Sequence, residues 1–160
     1  MGPVARRPVA WVAAIVLFVE AIGIVLLNGF LGLVVDRQDM SLAGLDPRAM
    51  SVGAWVAGAV FGLYLVLCAF VLARAAATDR SPGGFGRILL ISAAVVHGLL
   101  GAFSIGLVGW LAFVAMMVVL ALIVLTLVAY DRRDSTPEGD DKGAAAPPAP
   151  PASSPEPTTP

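Results

Sequence analysis

Residues 87–131 read RILLISAAVVHGLLGAFSIGLVGWLAFVAMMVVLALIVLTLVAYD, with no Asp, Glu, Lys or Arg between Arg87 and Asp131. As one helix this stretch would run roughly 65 Å, about twice the hydrocarbon thickness of a bilayer. It must therefore fold back. Two glycines and a serine cluster at Ser104-Ile105-Gly106-Leu107-Val108-Gly109, just before Trp110, and mark the break. The reading gives a span over about 86–104 and another over about 109–130.

Working outward, two more apolar runs of membrane length precede this pair. The first covers about 8–35 and is longer than a straight crossing needs, so it should tilt or protrude. The second covers about 47–73, and Asp46-Pro47 supplies its start signal, an N-cap carboxylate followed by proline in the first turn. Hydrophobic residues make up 59% of the chain and charged ones 13%, where a soluble domain carries about 25%. The expected fold is all-α, a four-helix transmembrane bundle with short loops over residues 1–130. The apolar run after Arg6 and Arg7 is too long for a signal peptide, so it reads as a retained first span.

From Asp131 onward the composition changes. Asp140-Asp141, an alanine run, Pro147-Pro148-Ala149-Pro150-Pro151 and a Ser/Thr/Pro ending cannot bury enough apolar area to offset ordering entropy. Residues 131–160 are expected to form a disordered, Pro-rich cytoplasmic tail with polyproline II character. It is a solvated tail on one reading, a docking or phosphorylation segment on the other.

Positive charge sets the direction. With four spans, Arg6, Arg7, Arg74, Arg80, Arg87, Arg132 and Arg133 fall on one side, and Arg37 and Arg48 on the other. Both termini are expected in the cytoplasm. Trp55 and Trp110 then sit at the outer interface, and Trp11 and Tyr130 near the inner one, where amphipathic aromatics belong. The net charge of -1 and the lack of a basic stripe argue against nucleic-acid partners.

Cys68 is the only cysteine, which excludes an internal disulfide and a Cys-based metal cluster and leaves it a small apolar filler. The acidic outer loop, Asp36 to Asp46, matches no calcium-loop spacing. Ser81-Pro82-Gly83-Gly84 is a turn, lacking the lysine and preceding strand of a phosphate loop. No cofactor fingerprint, metal spacing or nucleophile–base pair is found in the loops, and no enzyme is expected.

Four polar side chains lie deep in the spans: Glu20, Asn28, Tyr64 and His97. A carboxyl group at such depth needs a partner, a proton or a role. Glu20 lies about 18 Å along its helix from Pro8, and His97 about 15 Å along its own from Arg87. Both helices run in the same direction, so a Glu20–His97 contact is allowed, with Tyr64 at a comparable level and Asn28 about two turns further out. His97 shares a helical face with Ala93, Ala94, Gly101 and Ser104, a stripe of small residues that admits another helix. Ala54, Gly58 and Gly62 form a second such stripe, and Gly23 sits one turn from Glu20. Glu20 either exchanges protons, with His97 as relay, or is a satisfied polar group that joins helices.

The residues Glu20-Ala21-Ile22-Gly23 with Leu26-Leu27 resemble the first helix of the small multidrug resistance transporters. That resemblance implies a membrane-embedded glutamate that binds a proton and a cationic substrate in competition, within a dimer. It covers about eight residues, and the aromatic, glycine-rich third-helix signature of that family is missing. The excess of arginine over lysine and the abundance of Ala, Val, Gly and Pro also resemble the small four-span integral membrane proteins of GC-rich bacteria. The expected place is therefore the bacterial cell membrane, multi-pass. The expected role is structural, accessory or interaction, with lipid and with itself or another membrane protein as partners. The alternative is a small proton-coupled transporter using Glu20.

Overall fold

The computed structural model describes residues 6–38, 44 and 46–134. Four helices follow in order: α1, Arg6–Gln38; α2, Pro47–Thr78; α3, Gly84–Leu107; and α4, Trp110–Asp134. All four are long and apolar enough to cross a membrane, and the chain is a multi-pass membrane protein with an all-α bundle fold. At 33 and 32 residues, α1 and α2 measure about 50 Å, well beyond a 30 Å core, so they tilt or protrude. The helix α4 runs on to Asp134, past the expected start of the tail at Asp131. The remainder of that tail, its Pro-rich segment included, lies outside the described residues, as does Asp39 of the acidic loop.

The termini of each helix follow from local chemistry. The Asp46 side chain accepts a hydrogen bond from the Arg48 N–H at 2.7 Å, with Pro47 in the first turn of α2. α2 stops at Asp79, which takes the left-handed conformation at φ 51°. The reversal between α3 and α4 falls at Val108-Gly109, at the end of the expected break. The N–H groups of Val108 and Gly109 both donate to the Ser104 carbonyl, and Gly109 has φ 114°, a region open to glycine and strained for other residues.

The helices form a closed square. α1 packs most extensively on α2, α3 packs on α4, α1 closes against α4, and α2 and α3 touch least. α1 and α3 therefore stand on one diagonal, α2 and α4 on the other. The core is built from small residues on the long helices, including Ala13, Ala14 and Ala21 on α1 and Cys68 and Ala69 on α2, with Leu17, Leu65, Leu72 and Ile123 filling the space between. Small residues matter because lipid offers no hydrophobic gain for helix association; close backbone approach and dispersion replace it. Large apolar side chains such as Phe30, Phe70, Phe103 and Leu111 cover the outside. An aqueous surface would not accommodate so much contiguous apolar area, and a bilayer does.

At the end of the bundle that carries residue 6 and Asp134, a second cluster joins Ala10, Ala75, Ala76 and Tyr130. Tyr130, expected near the inner interface, faces into the bundle at this end: it is 1% exposed, and its hydroxyl donates to the Ala75 carbonyl at 3.2 Å. The three alanine-sized neighbours leave a ring-sized space, and the phenol fills it.

Candidate functional site

On α3 the buried positions are Leu90, Ala93, His97, Gly101 and Ser104, a stripe at steps of three and four. His97 is 0% exposed on this stripe. Its Nδ1 lies 2.7 Å from the Ala93 carbonyl, and its Nε2 lies 3.1 Å from Oε2 of Glu20. Glu20 sits roughly 60° around α1 from the buried Leu17, at the edge of the buried stripe, and its side chain keeps 16% of its surface open. The two side chains reach across the α1–α3 diagonal, between helices whose backbones are not neighbours.

The hydrogen bonds fix the proton inventory. A carbonyl oxygen only accepts, so Nδ1 of His97 must carry a hydrogen. The remaining contact, Nε2 to Oε2, then needs one proton, held by the carboxyl group or by the ring. In the first case a carboxylic acid donates to a neutral imidazole. In the second an imidazolium donates to a carboxylate. Both forms are net neutral, and they differ only in the position of one hydrogen. Without that hydrogen, two lone pairs would face each other and the site would carry a net negative charge in a low-dielectric medium.

Tyr64 is not part of this pair. Its hydroxyl meets Ser92 Oγ at 2.8 Å, while Ser92 Oγ donates to the Leu89 carbonyl at 2.8 Å. The single Ser92 hydrogen is thus committed, and Tyr64 is the donor. Ser92 precedes His97 by about 7.5 Å of helix, so the Tyr64–Ser92 bridge forms a separate polar layer between α2 and α3. Sequence reasoning missed Ser92; the signal available was a hydroxyl residue one and a half turns from the histidine on the same helix. Asn28 also stands apart, its side-chain amide donating to the Ile24 carbonyl of its own helix at 2.9 Å.

The small residues divide clearly. A Cβ at Gly58 would stand 2.6 Å from Asn28 Cβ, one at Gly62 would strike Val25 Cγ2, and one at Gly101 would stand 2.5 Å from the Met117 methyl. Ala54 is half-buried. Gly23 is a correction: it is exposed, with nothing near its missing Cβ. It lies roughly 120° around α1 from Leu17, so one turn from Glu20 carries it past the buried edge to the outer face. The α1 glycines that do pack, Gly29 and Gly32, were not foreseen. The Trp55 indole covers both, and the Ser51 hydroxyl donates to the Gly32 carbonyl at 2.9 Å. Their spacing of three, opposite a serine and a tryptophan four apart, was the available signal. Cys68 is buried in the core.

Among the described residues no group of three or more His, Cys, Asp or Glu side chains is placed to hold a metal ion. No protein family, curated protein or solved structure matches this chain.

Proposed function

We propose that this chain is a structural, accessory or interaction protein of a bacterial cell membrane, without catalytic activity, lying in the bilayer with both termini in the cytoplasm. One observation carries this reading. The lone intramembrane carboxyl group, Glu20, finds its partner inside the bundle, in His97 at 3.1 Å. A satisfied pair needs no transported solute to explain it, and polar contacts of this kind commonly join transmembrane helices. The remaining function falls to the outer surface, which is apolar and suited to lipid, to a second copy or to another membrane protein. Orientation is supported by Arg6, Arg7, Arg74, Arg80 and Arg87 at the terminal end of the bundle.

A second reading has one observation in its favour. Glu20 is not sealed: it keeps 16% of its side-chain surface at the edge of the stripe. A small proton-coupled transporter would use that opening, as the resemblance of Glu20-Ala21-Ile22-Gly23 to the small multidrug resistance transporters implies. His97 would then release the carboxylate to a cationic solute.

Reconstituted vesicles separate the two. Wild type, Glu20→Gln and Glu20→Ala are compared for proton release on addition of a panel of lipophilic cations. Equal behaviour supports the structural role. Proton release in wild type that both variants abolish establishes the transporter. Reporter fusions after Asp36, Asp79 and Asp131 test orientation, and an external signal after Asp131 would reverse it.

A further inference from the structure

We propose that the wedge between α2 and α3 at the terminal end of the bundle binds the phosphate of an anionic phospholipid headgroup. A cavity of about 390 Å³ opens there, where the two helices touch least. Its charged walls are Arg74 on α2 and Arg80 in the connecting turn. Both guanidinium groups are exposed, and neither forms an ion pair among the described residues. The nearby Arg87 is different, being held by Asp131 at 2.9 Å, and Asp79 does not line the cavity. Ser81 adds a hydroxyl group to the wall, while the Thr78 hydroxyl is spent on the Arg74 carbonyl at 2.8 Å. The first turn of α3 also borders the cavity, and its N-cap, Gly83, has no side chain to satisfy the N–H groups there.

The other walls are apolar. Val71 and Phe85 line the cavity, and Phe85 is among the most exposed large side chains of the chain. A site with paired cations at its polar rim and apolar walls toward the hydrocarbon matches an anionic headgroup with its acyl chains running along the α2–α3 seam. Basic pockets between transmembrane helices at the membrane surface take such headgroups. The shared chemistry is a phosphate, so a soluble phosphate is the competing source.

The test uses the full chain in nanodiscs, with retention of spin-labelled phosphatidylglycerol against spin-labelled phosphatidylcholine as readout. Wild type should prefer the anionic lipid, and each of Arg74→Gln and Arg80→Gln should lower that preference about fivefold. Arg80→Lys should retain most of it, and Arg48→Gln, at the opposite end, should retain it all. Both target side chains are exposed, so the folded bundle survives the substitutions, as a circular dichroism melt will verify. An unchanged preference in the Arg74→Gln/Arg80→Gln double variant overturns the proposal. Displacement of the labelled lipid by millimolar inorganic phosphate in wild type, with equal stabilisation in neutral nanodiscs, also overturns it, since the ligand is then soluble phosphate.

Discussion

Glu20 and His97 share one hydrogen across the diagonal of the bundle, carboxyl oxygen to imidazole nitrogen at 3.1 Å, while the other ring nitrogen is held by the Ala93 carbonyl at 2.7 Å. Neither backbone brings its helix next to the other. The contact depends on two long side chains meeting at one depth, which makes it a sensitive reporter of how the two halves of the bundle are seated.

Removing one partner leaves the other unsatisfied. Glu20→Ala and His97→Ala are each expected to destabilise the bundle by about 1–3 kcal/mol. Glu20→Gln should be milder, because an amide N–H can still donate to Nε2. A double-mutant cycle by reversible unfolding in detergent should return a coupling of roughly 0.6–1.7 kcal/mol. A coupling indistinguishable from zero would mean that the contact carries no energy.

The proton arrangement is directly observable. Nitrogen-15 spectra of selectively labelled His97 should show Nδ1 protonated. In Glu20→Gln the ring should be a neutral tautomer with its hydrogen on Nδ1. Infrared absorption in the carboxylic acid region, lost in Glu20→Gln, tells whether the shared hydrogen rests on the carboxyl group. A ring protonated only at Nε2 would contradict the assignment.

The glycines separate by environment. Gly58→Ala forces a Cβ to 2.6 Å from Asn28 Cβ, an atom tied to the α1 backbone, and overpacking of this kind costs about 1–3 kcal/mol. Gly23→Ala meets nothing and should be neutral or stabilising by up to about 1 kcal/mol, because alanine is the better helix former. Unfolding midpoints of the two variants in one detergent provide the comparison; a Gly58→Ala protein as stable as wild type would sink the packing account.

The turn between α3 and α4 is a point of strain for any other residue. Gly109 has φ 114°, so Gly109→Ala should cost about 1–3 kcal/mol and loosen the hairpin. Proteolysis at the turn in detergent micelles is expected to quicken in the variant. Gly106→Ala, with open space around it and a helical backbone, is the matched control.

Legibility in the sequence followed chemistry of short range. The Asp46 cap and the Val108-Gly109 break are decided by a few adjacent residues, and both were readable from spacing and residue type. The depth match of Glu20 and His97 was readable because helical rise converts residue number into height. Facing was harder. Gly23 and Glu20 are one turn apart, yet the edge of the buried stripe runs between them, and only the neighbouring helices define that edge. Tyr130 is a similar case: the sequence marks an aromatic near the membrane surface, but the void it fills is made by Ala10 on α1 and Ala75 and Ala76 on α2, two helices distant in sequence from α4. The Ser51–Gly32 and Tyr64–Ser92 bonds likewise join helices whose relative rotation no single segment encodes.

The square of helices has a consequence in time as well as in space. α1 and α2 make the most extensive contact in the bundle, and α3 and α4 make the next, so the bundle is built of two helical hairpins. Glu20 belongs to the first, and His97 follows it by 77 residues. At a ribosome pace of about 5–20 residues per second, His97 is polymerised roughly 4–15 s after Glu20. During that interval the newborn hairpin carries a lone carboxyl group with no histidine to share its hydrogen. A chain truncated before His97 would lack the side chain that Glu20 meets in the full bundle.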